Sequence, residues 1–136
     1  MLVIDVSDDR YALENFELYQ VAREFRIKLY KLAKQLPNEE KFNLASQLRR
    51  AALSITNNIA EGHGRWFYLD NARFCRIARG SVQEVVDDLN VCSDEQYCDR
   101  NLIGELKVEA LALIKRINGY ISYLKRSQQG KNDAPA

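Results

Sequence analysis

The chain is predicted to be all-α, an up-down-up-down antiparallel four-helix bundle, and three observations predict it. Four segments of about 20 residues repeat apolar side chains at steps of three and four, the spacing of one helical face. Punctuation is sparse: the 136 residues include two prolines, Pro37 and Pro135, and six glycines, which favours long helices over many short strands. The connections between the segments are short, and short connections force neighbouring helices to run antiparallel.

Residues 1–12 are set apart as an N-terminal arm, 13–126 as the bundle domain and 127–136 as a flexible C-terminal tail. The first helix is predicted from Leu13 to Leu36, with Leu18, Ala22, Phe25, Leu29, Leu32 and Leu36 as its seam. Pro37 stops it, having no N–H and a ring that clashes with the preceding turn. Asn38 is a candidate cap for the second helix, with Glu39 and Glu40 at its positive end. That helix, Glu39 to Glu61, has Ala45, Leu48, Ala52, Ile55 and Ile59 as its seam. Ala51, Ala52 and Ser54 permit close approach, and Asn57 and Asn58 need partners wherever they are buried. Gly62 reads as a left-handed residue just past the helix end.

The third helix is predicted from Tyr68 or Asp70 to Val91, with Phe74, Ala78, Ser81, Val85 and Leu89 on one face, widened by Ile77, Val82 and Val86. Gly80 costs up to ~1 kcal/mol against alanine in mid-helix, which close helix packing at Gly80 and Ser81 is expected to offset. Asp99 is a candidate cap for the fourth helix, where Ile103, Leu106, Ala110, Leu113, Ile117, Tyr120 and Leu124 keep the cleanest heptad spacing in the chain.

Hydrophobic residues at 46% and charged residues at 29% are ordinary globular composition. No apolar run reaches the ~18 residues of a membrane span. The N-terminus lacks the basic start and longer apolar core of a signal peptide, so the expected location is the cytoplasm. Cys75, Cys92 and Cys98 are odd in number with no tight pair and do not read as a disulfide framework. The net charge of +1 hides blocks: residues 1–20 carry −4, 21–80 carry +7, 81–110 carry −6 and 111–136 carry +4. Such blocks present a basic face to a polyanion, or match an acidic face on a neighbour.

The stretch SQLRRAALSITNNIAEGHGR, Ser46 to Arg65, resembles the signature of the four-helix-bundle family of proteins encoded in intervening sequences of 23S ribosomal RNA genes, the S23 ribosomal protein family. The Pro37 to Glu40 turn and the element IARGS, Ile77 to Ser81, resemble the same family, with Arg79 at a lysine position. The resemblance covers residues 14 to 124 and takes in relatives of the accessory protein of diversity-generating retroelements. Thr56 and Asn57 depart from the usual residues before Asn-Ile-Ala-Glu-Gly, and Trp66-Phe67-Tyr68 is heavier than the usual polar link. The resemblance implies a ring-like homo-oligomer, a pentamer favoured, with no enzymatic activity and no cofactor. It also implies RNA or DNA and a reverse transcriptase as partners.

Seven arginines are candidate nucleic-acid ligands: Arg23, Arg26, Arg49, Arg50, Arg73, Arg76 and Arg79. Guanidinium groups make bidentate contacts to phosphate. The competing reading is a solvated surface with ion pairs within or between subunits. Ser54, Asn58, Glu61 and Arg65 follow one helical face and read as a polar network fixing helix register. A catalytic reading, with Glu61 as base and Arg65 holding an anion, lacks a nucleophile or second carboxylate at a useful spacing. His63, the one histidine, reads as a loop or cap residue, and no metal-ligand pattern is present. Apolar residues outside the seams (Phe16, Tyr19, Val21, Ile27, Tyr30, Leu102, Leu111, Ile114, Ile121 and Tyr123) point to contacts between subunits, with Glu84, Asp87 and Asp88 as acidic partners. The function expected is that of a non-enzymatic accessory protein that binds nucleic acid. The alternative is a protein–protein adaptor using the Trp66–Tyr68 region.

Overall fold

Steps of three and four fold into four long helices in the computed structural model, which describes residues 5, 9, 11–65 and 67–129, the last two by backbone alone. They are α1 (Glu17–Gln35), α2 (Leu44–His63), α3 (Tyr68–Asp94) and α4 (Arg100–Gln129), with 3-10 turns at Leu13–Asn15 and Asn38–Glu40. No strand occurs among the described residues. Cross-helix contacts fix the directions. Arg26 meets Thr56 and Phe16 meets His63; Ser54 meets Ser81 and Gly62 meets Asn71. Lys107 meets Asn90 and Asn118 meets Arg79; Lys28 meets Glu109 and Glu17 meets Arg116. In every pair of helices one number rises as the other falls, so each neighbour is antiparallel. The order around the bundle is α1, α2, α3, α4, with the α4–α1 seam packed more sparsely than the others.

The seams of α1 and α2 are buried, as is that of α4 apart from Tyr120, which is half-buried. Each large apolar side chain removed from water contributes about 1.5–3 kcal/mol. The predicted face of α3 is partly wrong. Phe74 is half-buried and Ile77 exposed, while Ala72, Cys75 and Cys92 are buried together with the polar Asn71, Ser81 and Asp88. Asn71 is at home there because its amide donates to Tyr120 Oη at 3.0 Å. Most of the apolar surplus is used within the chain. Phe16, Tyr19, Val21, Tyr30, Leu102 and Ile114 pack against the core and Ile121 is buried, leaving Ile27, Leu111 and Tyr123 exposed.

The helix ends follow different chemistry from that expected. Asn38 does not cap α2; it opens the 3-10 turn, and α2 starts six residues later. Glu40 serves that end instead: its Oε1 accepts the Asn43 amide at 3.1 Å and the Leu44 N–H at 3.4 Å. Gly62 is not left-handed, since no described glycine has positive φ; it lies inside α2, buried. Its lack of a side chain serves close approach: a Cβ there would lie 2.7 Å from Asn71 Oδ1 and 3.1 Å from both the Asn71 carbonyl and Phe74 Cβ. The expectation for Gly80 is likewise corrected, because it is exposed and a Cβ would meet nothing within 4 Å; the close approach of α2 to α3 sits at Gly62. Asp99 does cap α4, its carboxylate accepting the Asn101 N–H at 3.0 Å.

At the other end of the α3–α4 turn, α3 closes on a left-handed Gln96, φ 59°. The Tyr97 N–H reaches the Cys92 carbonyl at 2.9 Å and the Gln96 N–H reaches Ser93 at 3.1 Å, the paired bonds of a Schellman ending. Tyr97 then donates to Glu40 Oε2 at 2.7 Å, tying the α3–α4 turn to the α1–α2 turn. Helix α4 runs to Gln129, past the expected bound at 126, and residues 130–136 of the expected tail lie outside the described residues. Most of the expected arm lies outside them too. Asp9 is described, and its carbonyl accepts the Ala12 N–H at 3.1 Å and the Asn15 amide at 2.7 Å. No described helix is long and apolar enough to cross a membrane.

Candidate nucleic-acid interface

In α3, residues 71–83 contain no Asp or Glu, and in α4 the same holds for residues 110–129. These two stretches lie side by side, joined by Arg79 donating to Asn118 at 2.7 Å and Asn71 donating to Tyr120 at 3.0 Å. Arg73, Arg76 and Arg79 occur at steps of three, so each sits about 60° behind the last around the helix. Arg73 is exposed and lies over the Phe74 ring at 5.4 Å, with Arg65 on the same ring at 4.8 Å. Such cation–π contacts hold guanidinium groups in place without neutralising them. Arg76 is exposed, and Arg79 turns toward α4. Lys125 lies two turns beyond Asn118 on the same face of α4, and Lys115 lies one turn before it; both are exposed.

The remaining candidate arginines do not join this face. Arg26 donates to the Thr56 hydroxyl at 2.9 Å in the groove between α1 and α2, on the opposite side of the bundle. Arg49 precedes Thr56 by seven residues on the same side of α2, and Arg23 is exposed on α1 one turn before Arg26. Arg50 turns toward α3, where its charge acts on Asp88. The seven arginines therefore divide among the α3–α4 face, the opposite α1–α2 side and, for Arg50, the junction of α2 with α3. The lysines of α1 are partly neutralised within the chain. Lys28 pairs with Glu109 across an α1–α4 cleft of about 310 Å³ that Lys31 and Glu105 also line.

The four residues of the expected polar network separate into two pairs. The Asn58 amide donates to the Ser54 carbonyl at 2.8 Å and to its hydroxyl at 3.0 Å. Ser54 is hydrogen-bonded to Ser81 at 2.7 Å, and Ser81 reaches the Ile77 carbonyl at 3.4 Å, so this chain of polar groups joins α2 to α3. Glu61 and Arg65 form a separate, exposed ion pair at 2.7 Å. His63 ends α2, stacked on Phe16 at 4.7 Å, and its Nε2–H donates to the Tyr11 carbonyl at 3.3 Å.

The family profile of the 23S rRNA-intervening sequence proteins matches residues 14–119, most of the described bundle. The chain belongs to this family. A search of curated proteins finds no match. Among solved structures, the crystal structure of a protein with unknown function from the S23 ribosomal protein family of Bacteroides thetaiotaomicron superposes with a TM-score of 0.71 at 24% identity. The match covers 76% of this chain and 97% of that one, and it shows the same fold.

Packing explains why the stretch that carries the family resemblance is built as it is. Ala51, Ala52, Ile55, Thr56 and Ile59 are buried along α2, Ser54 bonds across to α3 while Asn58 holds Ser54 from within α2, and Gly62 lets Asn71 lie against the helix. Of the aromatic run, Tyr68 is buried and Phe67 is exposed, while Trp66 lies outside the described residues. No group of three or more His, Cys, Asp or Glu able to hold a metal occurs among the described residues. Lys115 and Lys125 are the basic residues that the sequence reading passed over. The signal for them was present in the long carboxylate-free run of α4.

Proposed function

We propose that this chain is a non-enzymatic, oligomeric accessory protein that binds nucleic acid through the outer face of α3 and α4. The observation that carries the reading is the pairing of two carboxylate-free helix halves, which sets Arg73, Arg76, Arg79, Lys115 and Lys125 on one side of the bundle. A phosphate backbone releases counterions to such a face, and its affinity is strongly salt-dependent. The resemblance to retroelement accessory proteins agrees with this reading. Titration of labelled structured RNA or DNA at low and moderate salt tests it. Replacing Arg73, Arg76 and Arg79 together with glutamine is expected to weaken low-salt binding at least ~10-fold and to reduce the salt slope by roughly 2 to 3. Unaltered affinity and slope in that variant would move the interface off α3.

The second reading, an adaptor working beside a partner such as a reverse transcriptase, draws on Phe67 and Leu69, exposed at 42% and 47% beside the α2–α3 link. Absence of any nucleic-acid binding at low salt would favour it. Self-association is proposed on either reading. Along α4, Gly104, Val108 and Leu111 form an exposed stripe, with Val108 67% and Leu111 56% accessible. Light scattering should give a multiple of the 15.7 kDa chain mass, a pentamer being favoured. A monomer at micromolar concentration would overturn the oligomer.

A further inference from the structure

We infer that Cys92 and Cys98 are a redox-modification site, a dithiol that a small peroxide converts to a disulfide across the α3–α4 turn. The backbone there is preset. The left-handed Gln96 and the 2.9 Å bond from the Tyr97 N–H to the Cys92 carbonyl fold the chain back on the last turn of α3. Cys92 supplies the carbonyl of that bond, and Cys98 directly follows the residue that donates to it. The two thiols consequently lie near enough for each to act on the other's proton affinity. Cys92 is fully buried, whereas Cys98 is half-buried and lines a depression of about 400 Å³ with Ser93, Gln96 and Arg100. Cys75 is buried 17 residues earlier in α3, about 25 Å away along the helix, too far to join them.

The accessible sulfur reacts first. The Cys98 thiolate attacks a peroxide oxygen, the O–O bond breaks, and Cys98 becomes a sulfenic acid with release of water or, from an organic peroxide, an alcohol. The Cys92 sulfur then displaces hydroxide from the sulfenic sulfur, losing its proton, and a second water leaves. The balance is two thiols and one peroxide to one disulfide, with the peroxide as the two-electron oxidant. Burial raises both thiols above their ordinary range, Cys92 to about 12. The pair therefore stays reduced under mild conditions, and its oxidation rate climbs as rising pH supplies thiolate. The new bond would lie beside the Tyr97–Glu40 hydrogen bond that ties the two turns at this end of the bundle.

The test treats the full-length native chain with hydrogen peroxide at neutral and mildly alkaline pH, then alkylates free thiols and measures intact mass. The expected product is lighter by two hydrogens and keeps one alkylatable cysteine, Cys75. A reductant should reverse the change, and reaction should quicken by up to ~10-fold per pH unit. Cleavage after Glu95 should leave the two peptides joined until they are reduced, which identifies the pair without any variant. Cys98→Ser should abolish the hydrogen loss. Oxygen addition at Cys98 without hydrogen loss, dimers linked through Cys98, or a bond that includes Cys75 would each overturn the assignment.

Discussion

Gly62→Leu should destabilise the bundle by about 2 to 3 kcal/mol, the largest loss we expect from any single glycine substitution. The reason is the wall that the new side chain meets. A Cβ at this position would stand 2.7 Å from Asn71 Oδ1, and Asn71 cannot simply swing aside. It is 2% exposed, its amide donates to Tyr120, and its Oδ1 receives the Cys75 thiol at 3.6 Å. The other two obstacles at 3.1 Å, the Asn71 carbonyl and Phe74 Cβ, move only if α3 itself moves. Separating α2 from α3 there would also stretch the Ser54–Ser81 bond two turns away. Gly62→Ala should still destabilise, because overpacking outweighs the ~1 kcal/mol that alanine gains over glycine in a helix. Gly80→Ala is the internal contrast. With nothing within 4 Å of its Cβ, it should stabilise by about 0.5–1 kcal/mol. Urea denaturation of the three variants checks the signs, and a stabilising Gly62→Ala would show that α3 yields easily.

That contrast also marks what was legible in the sequence. The seams of α1, α2 and most of α4 could be read because burial there follows apolar periodicity alone: Leu29, Leu48, Ile55 and Leu113 are all within 1% of full burial. Helix α3 resists the same reading. Asn71, Ser81 and Asp88 are buried there, the first two because hydrogen bonds from other helices satisfy them, while the apolar Ile77 is 43% exposed. A polar residue's burial depends on partners distant in sequence, and no local pattern carries that information. The two glycines fail for a related reason. Gly62 has the right position for a helix stop and Gly80 the wrong one for a helix, yet each is decided by what lies opposite.

The candidate interface was legible to the level of single helices and no further. Steps of three along α3 gave Arg73, Arg76 and Arg79, and the spacing of Arg49 and Arg50 gave a basic stretch of α2. Which helices adjoin is a property of the fold, and it puts Arg49 with Thr56 and Arg26 on the side away from the α3 group, while Arg50 turns toward α3. Lys115 and Lys125 enter the α3 group through the Arg79–Asn118 contact, 39 residues apart in sequence. Cys92 and Cys98 are similar. A spacing of six residues says little until a left-handed Gln96 turns the chain back.

Asp88→Asn should stabilise the protein above neutral pH by about 2 to 3 kcal/mol and leave it unchanged in acid. Asp88 was expected to face a neighbouring subunit, but it is 6% exposed within this chain. Burial raises its carboxyl from the ordinary 3.8 to about 6, the nearby charges of Asp87 and Glu84 add to the rise, and Arg50 on α2 opposes it. The sign follows from proton counting. Between pH 3.8 and about 6 the folded chain holds the Asp88 proton more tightly than the unfolded chain does, so stability falls as pH rises through that window and then levels off. One pKa unit corresponds to ~1.4 kcal/mol, which sets the size of the penalty carried by the ionised side chain. Asparagine keeps the shape and never ionises, so its advantage should grow across the same window and vanish once Asp88 is protonated in both states. Urea denaturation of both proteins across the acid-to-neutral range measures this directly. A wild-type chain more stable than the variant at neutral pH would mean that attraction to Arg50 outweighs the cost of burial, and Arg50→Ala would then be the more damaging change.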